Sequence, residues 1–209
     1  MANPSVPELI EQLDHKSSPK RRAAAKKLRK LKAKEAGSAL LAALQTELKD
    51  KRTWETQYQM IMALGESGYT KSLDYLIQLA EQEFEATMVY MAIGDAITRL
   101  IYLKEGNINF IIDSLNSKPE LPLFIDGLIR AIAIAKLAPP QDNIDNLILY
   151  ANQADTSNNH KAWIATAAAG WTGDKTINFL NNCLSSNNEQ LVKAAQAAIA
   201  KKYINWSIL

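Results

Sequence analysis

Apolar positions recur along this chain at helical spacing, in pairs of stripes. Trp54, Tyr58, Ile61 and Met62 fall at i, i+4, i+7 and i+8, one face of a helix. Gly65 and Gly68 interrupt that pattern. Leu73, Leu76, Ile77 and Ala80 then open a second stripe at i, i+3, i+4 and i+7. The segment 54–80 therefore reads as helix, tight turn, helix. Two helices alone cannot hide both stripes from water, so this unit needs neighbours of its own kind.

The chain supplies them. Five-residue apolar cores begin at residues 9, 40, 76, 111, 147 and 180, which sets them 31, 36, 35, 36 and 33 residues apart. The segments INFIIDSL (108–115) and INFLNNCL (177–184) are close copies of each other. Each core marks a first helix, and a second helix follows it, over 19–34, 53–66, 86–102, 122–137, 160–171 and 188–203. Pro19 after Ser17 and Ser18 looks like a helix start with its cap. Gly106-Asn107, Pro139-Pro140 and Gly173-Asp174 read as the breaks before the next first helix. A helix pair repeated at this period stacks into an α-solenoid. The fold expected is all-α, an α-solenoid of six helix pairs in one domain over 1–209, with Tyr203, Trp206 and Ile208 folding over the last exposed face.

Composition narrows the chemistry. No run of about 18 apolar residues is present, so no membrane span is expected. The start lacks a basic region followed by an apolar one, which makes the cytosol the expected compartment. Cys183 is the single cysteine, and the only histidines, His15 and His160, are far apart in sequence. That leaves neither a disulfide nor a metal site built on His and Cys. No cofactor is expected. The net charge of +2 hides an asymmetry: residues 1–52 hold 13 Lys/Arg against 6 Asp/Glu, and residues 53–209 hold 11 against 16.

With the repeat established, a resemblance can be stated. MALGESGYTKSLDYL (62–76) and AAAGWTGDKTINFL (167–180) resemble the junction of HEAT repeats of the phycobilisome-lyase type. The period carries the resemblance over most of the chain, the junction motif over two repeats; the first and fourth junctions lack the glycine pair. The resemblance implies that small Ala and Gly residues let the helices of a pair approach and turn. Repeats of this type serve many functions, so it implies a fold more strongly than an activity.

Several constellations could carry function. Arg22, Lys26, Arg29 and Lys30 share one face of the first repeat's second helix, with Ala24, Leu28 and Leu31 opposite. Such a strip could steer an acidic partner, or it could be a solvated end of the stack. Asp95 and Arg99, and again Asp126 and Arg130, stand at i, i+4 in successive second helices. They read equally as a polar lining of a binding face and as structural contacts between units. Trp163 and Trp171, eight residues apart with alanines between, and Tyr90 are either core or the walls of a shallow pocket. Cys183 reads as a buried helix residue. No catalytic motif is present, and no histidine lies near a nucleophile.

Three functions follow as expectations. The first is a non-catalytic scaffold or adaptor that holds a partner protein on the concave face of the second helices, with the cationic first repeat steering an acidic partner. The second, implied by the resemblance, is a subunit of a bilin lyase-like system, which would need a tetrapyrrole-sized pocket lined by groups such as Tyr90, Trp163 and Trp171. The third is a role like that of DNA alkyl-base glycosylases built from similar repeats. Nucleic acid is disfavoured, because the cations are not interleaved with aromatics and the later repeats are acidic.

Overall fold

Twelve α-helices, each held by its own apolar stripe, account for the computed structural model, which describes residues 4–117 and 121–204. Among the described residues there is no strand. The chain divides into two compact units, Met1–Lys104 and Glu105–Leu209.

In the first unit α1 (Val6–Glu11) runs into a 3-10 turn and is followed by α2 (Ser18–Leu31), α3 (Gly37–Glu47), α4 (Trp54–Glu66), α5 (Leu73–Leu79) and α6 (Met88–Glu105). A capping box starts α1: the Glu8 carboxylate accepts from the Ser5 backbone N–H at 2.6 Å while Ser5 Oγ accepts from the Glu8 N–H. The second helices pack on each other, α2 along α4, while α3 packs across α4. Gly65 sets how closely α4 meets α6. A Cβ built there would lie 2.6 Å from the Ala96 Cα, so any side chain must push backbone away. The sequence assigns this glycine to closeness within a pair; it serves closeness between neighbouring second helices.

In the second unit the helices are α7 (Asn109–Ser117), α8 (Pro122–Ile134), α9 (Gln141–Ala151), α10 (Asn158–Ala167), α11 (Asp174–Leu184) and α12 (Glu189–Ile199). Again the second helices form a row, α8 on α10 and α10 on α12, with α7, α9 and α11 in sequence beside them. All six apolar cores begin in first helices, the one at 9–13 running on into the 3-10 turn and the one at 76–80 ending on the cap of α5, and all six second helices form. Each unit is thus a short α-solenoid of paired helices.

The stripes bury largely as their spacing requires. Tyr58, Ile61, Met62, Leu73, Leu76 and Ala80 are core, with Trp54 and Ile77 half-buried. Ala24 and Leu28 are fully buried on α2, but Leu31 is 57% exposed, because the helix ends there and the chain turns away. Ser17 does sit at the N-cap of α2, yet its side chain caps nothing; the neighbouring Ser18 hydroxyl donates to Glu47 at 2.9 Å. The run Asp155-Thr156-Ser157-Asn158-Asn159 is polar throughout and reads from the sequence as a loop, but Asn158 and Asn159 already belong to α10. Trp206 and Ile208 lie outside the described residues. Tyr203 sits under the Lys136 ammonium, which is 4.9 Å from the ring centroid.

The turns after second helices explain why some junctions lack glycine. Gly68 follows α4 with φ +70°, and Gly106 follows α6 with φ +71°. After α2, α8 and α12 the same left-handed position is held by Lys32, Lys136 and Lys201, with φ of 49°, 54° and 55°. The backbone bonds match: the N–H of Ala33 donates to the Leu28 carbonyl, as Tyr69 does to Leu64 and Leu137 to Ile132. A left-handed residue other than glycine costs about 1–2 kcal/mol, partly offset by glycine's greater freedom when unfolded. Lys32→Gly is therefore expected to stabilise the chain by about 0.5–1 kcal/mol, read from urea melts.

Candidate functional site

The cationic strip on α2 is only partly free. Arg22 pairs with Glu55 on α4. Arg29 donates Nε to the Glu66 carboxylate at 2.8 Å and Nη1 to Gln59 at 3.3 Å. Just inside them, Arg21 grips the buried Glu47 through Nε at 2.5 Å and Nη2 at 2.9 Å, and its Nη1 reaches the His15 carbonyl. These arginines join α2 to α3 and α4. Lys26 and Lys30 remain exposed, with Lys20 and Lys27 beside them on the helix. Among the described residues no ion pair involves these four lysines.

The arginine contacts continue into α6. Asp95 is fully buried and accepts from Arg99 Nε at 2.5 Å, one turn along the same helix. Burial works against the Arg99 charge, but Asp95, and then Glu66 on α4, hold its proton more firmly than usual. Arg29, Glu66, Arg99 and Asp95 thus alternate in sign across three second helices. Asp126 and Arg130 share the spacing but differ in use. Both are buried, and Asp126 reaches the next second helix, accepting from Asn159 and, at 3.2 Å, from Trp163 Nε1. Asp95 and Arg130 present almost no surface to a partner.

The two tryptophans are core. Trp163 is 8% exposed and its indole is committed to Asp126. Trp171 is 1% exposed and donates Nε1 to the Leu137 carbonyl at 3.0 Å. They do not wall an open pocket, because a 3-10 turn over Ala168–Gly170 separates them and each indole N–H has a buried acceptor. Tyr90 stands elsewhere, in the first unit. Its hydroxyl donates to the Gln82 carbonyl and accepts from the Phe84 N–H, and its ring meets Phe84 edge-on at 5.3 Å, so it pins the segment before α6. Cys183 is buried, and burial pushes its thiol up to about 11, which disfavours the thiolate that a nucleophile needs.

The second unit also holds a cleft of about 640 Å³ that motif reading misses. It lies where α7 and α9 end and α8 and α10 begin. Its polar residues come from the loop 153–157 and the start of α10, and Asp126 forms part of its wall. The Tyr150 hydroxyl and His160 Nδ1 are 2.9 Å apart, and Thr156 Oγ1 donates to the Tyr150 carbonyl at 2.7 Å. Burial keeps His160 neutral to lower pH than usual, against a hydrogen bond to the Pro122 carbonyl. Burial raises the Asp126 carboxyl, with the Trp163, Arg130 and Asn159 contacts opposing it. The polar run 155–159 was the one sequence signal for this cleft, and it reads as a plain loop until α7 and α8 are brought beside it.

Comparisons with known proteins bear on the fold. A family model described as the PBS lyase HEAT-like repeat matches residues 20–46, which take in nearly all of α2 and α3. No curated protein matches the chain significantly. Among solved structures, a designed armadillo repeat protein is similar, at 20% identity and a TM-score of 0.45, over 94% of this chain and 99% of that one. No helix among the described residues is long and apolar enough to cross a membrane. Residues 20–46 are thus similar to a PBS lyase HEAT-like repeat, and among the described residues they sit in an all-helical fold of paired helices.

Proposed function

We propose that residues 1–209 act as a single non-catalytic adaptor domain in the cytosol that binds another protein, with the lysines of α2 drawing in an acidic partner. The observation that carries this reading is the division of labour on α2. Arg21, Arg22 and Arg29 are spent on Glu47, Glu55 and Glu66, whereas Lys20, Lys26, Lys27 and Lys30 stay exposed. Exposed ammonium groups without a fixed carboxylate act on approach, raising the association rate more than the affinity. Arg22, Arg29, Asp95 and Arg99 serve in this reading by holding the second helices of the first unit in register beneath that surface, while Asp126 and Arg130 serve the packing of the second unit by itself.

The lyase-like reading draws on the name of the repeat, and the indoles it would need in a pocket, Trp163 and Trp171, are buried. Affinity purification from the native host, with wild-type chain and a Lys20, Lys26, Lys27, Lys30→Glu variant, tests the proposal. An acidic protein should co-elute with the wild type, be released by salt, and be lost from the variant. Capture unchanged in the variant would overturn the role of the lysines. Turnover of a small molecule by the purified chain would overturn the adaptor reading itself.

A further inference from the structure

We infer that the cleft of the second unit is a binding site for an organic cation, an ammonium or guanidinium group carried on an apolar stem. The lining decides the sign. Among the described residues it contains two carboxylates, Asp126 and Asp155, and no lysine or arginine. An anion would have to sit against both carboxylates, and the N-terminal hydroxyl of Ser157 is already used to cap α10 through the His160 N–H. Arg130 and Lys161, each close in sequence to a lining residue, are not part of the wall, and Arg130 is buried; Lys118 lies outside the described residues.

The remaining walls suit the two ends of such a ligand. Leu115, Leu123 and Ile125 offer an apolar side for a stem of a few methylenes. Asn116, Gln153 and Asn159 add side-chain amides to the wall, whose oxygens can accept from N–H donors. Tyr150 adds an aromatic ring, which attracts a cation by its face. Its hydroxyl contact with His160 holds that ring in place and joins α9 to α10 across the site. Asp126 is the anchor: it is buried and fixed by Trp163 and Asn159, so its orientation is set before a ligand arrives.

Calorimetric titration of the full chain with n-butylguanidinium, n-butylammonium and the neutral n-butanol tests this. The two cations should bind and the alcohol should not, with amide shifts in the NMR spectrum centred on Tyr150, Asp155 and His160. Asp155→Asn, on an exposed loop, should weaken binding about threefold. Asp126→Asn, its fold checked by circular dichroism, should weaken it about tenfold or more. Spermidine and a capped Ala-Arg-Ala peptide form a further arm. Tighter binding of the peptide assigns the cation to a protein side chain, tighter binding of spermidine to a free polyamine, and either supports the site. The inference fails if n-butanol binds as well as the cations, if neither cation binds up to its solubility limit, or if Asp155→Asn and a folded Asp126→Asn both keep the wild-type affinity.

Discussion

Trp171→Ala is expected to destabilise the chain by about 3–5 kcal/mol, the range for removing a large aromatic from a tight core. Its indole is 1% exposed in the wild type, just after the 3-10 turn that ends α10. The loss has two parts that can be separated. Most of it is apolar area and the cavity left behind. A smaller part, about 1 kcal/mol, is the hydrogen bond to the Leu137 carbonyl. That bond joins the end of the α8 turn to the end of α10 across 34 residues of sequence. Trp171→Phe keeps most of the apolar volume and loses the N–H with a smaller part of the ring system, so it should lie well short of the alanine variant in urea unfolding. Equal losses in the two variants would assign the effect to the hydrogen bond rather than to packing.

Glu47→Ala is expected to cost about 2–4 kcal/mol. Glu47 is 3% exposed and receives two bonds from Arg21 and one from Ser18. Removing it strands the guanidinium, although the Arg21 side chain, at 20% exposure, regains some water and keeps the loss below the extreme for a buried pair. The pH dependence has a definite sign. Burial raises the Glu47 carboxyl, but the bonds from Arg21, Thr53 and Ser18 outweigh it and leave it below the ordinary 4.5. The unfolded chain therefore takes up this proton first as the pH falls. The contribution of Glu47 is complete above about pH 5 and shrinks as the pH drops through and below the ordinary value. Glu47→Gln should lose stability less steeply than wild type over that window, measured by urea melts at successive pH values. Parallel curves would show that the pair is not what titrates.

The repeat was legible because it is a one-dimensional signal. Cores such as LLAAL at 40–44 and LIQLA at 76–80 need only spacing to be seen, and each began in a first helix. The pairing of charges was not legible. Arg29 meets Glu66 only because α2 lies along α4 in one register, a fact that no spacing within either helix encodes. The same holds for Trp163: its neighbours in sequence are alanines, while the group that decides its role, Asp126, is on another helix. Gly65 was recognised as a place of close approach, but its partner, Ala96, is set by stacking. The cleft needed four chain segments brought together, and only the polar stretch after α9 hinted at it.

The lysines at the left-handed turns also bear on how the molecule responds to its solvent. Each stands at the C-terminal end of a helix, where the aligned peptide dipoles leave partial negative charge that a nearby ammonium offsets. At Lys32 one residue therefore combines an unfavourable backbone shape with a favourable electric position. Added electrolyte screens the second and leaves the first untouched. The advantage of glycine at this position should accordingly widen as ionic strength rises, which makes the turn a small gauge of the field at the end of α2.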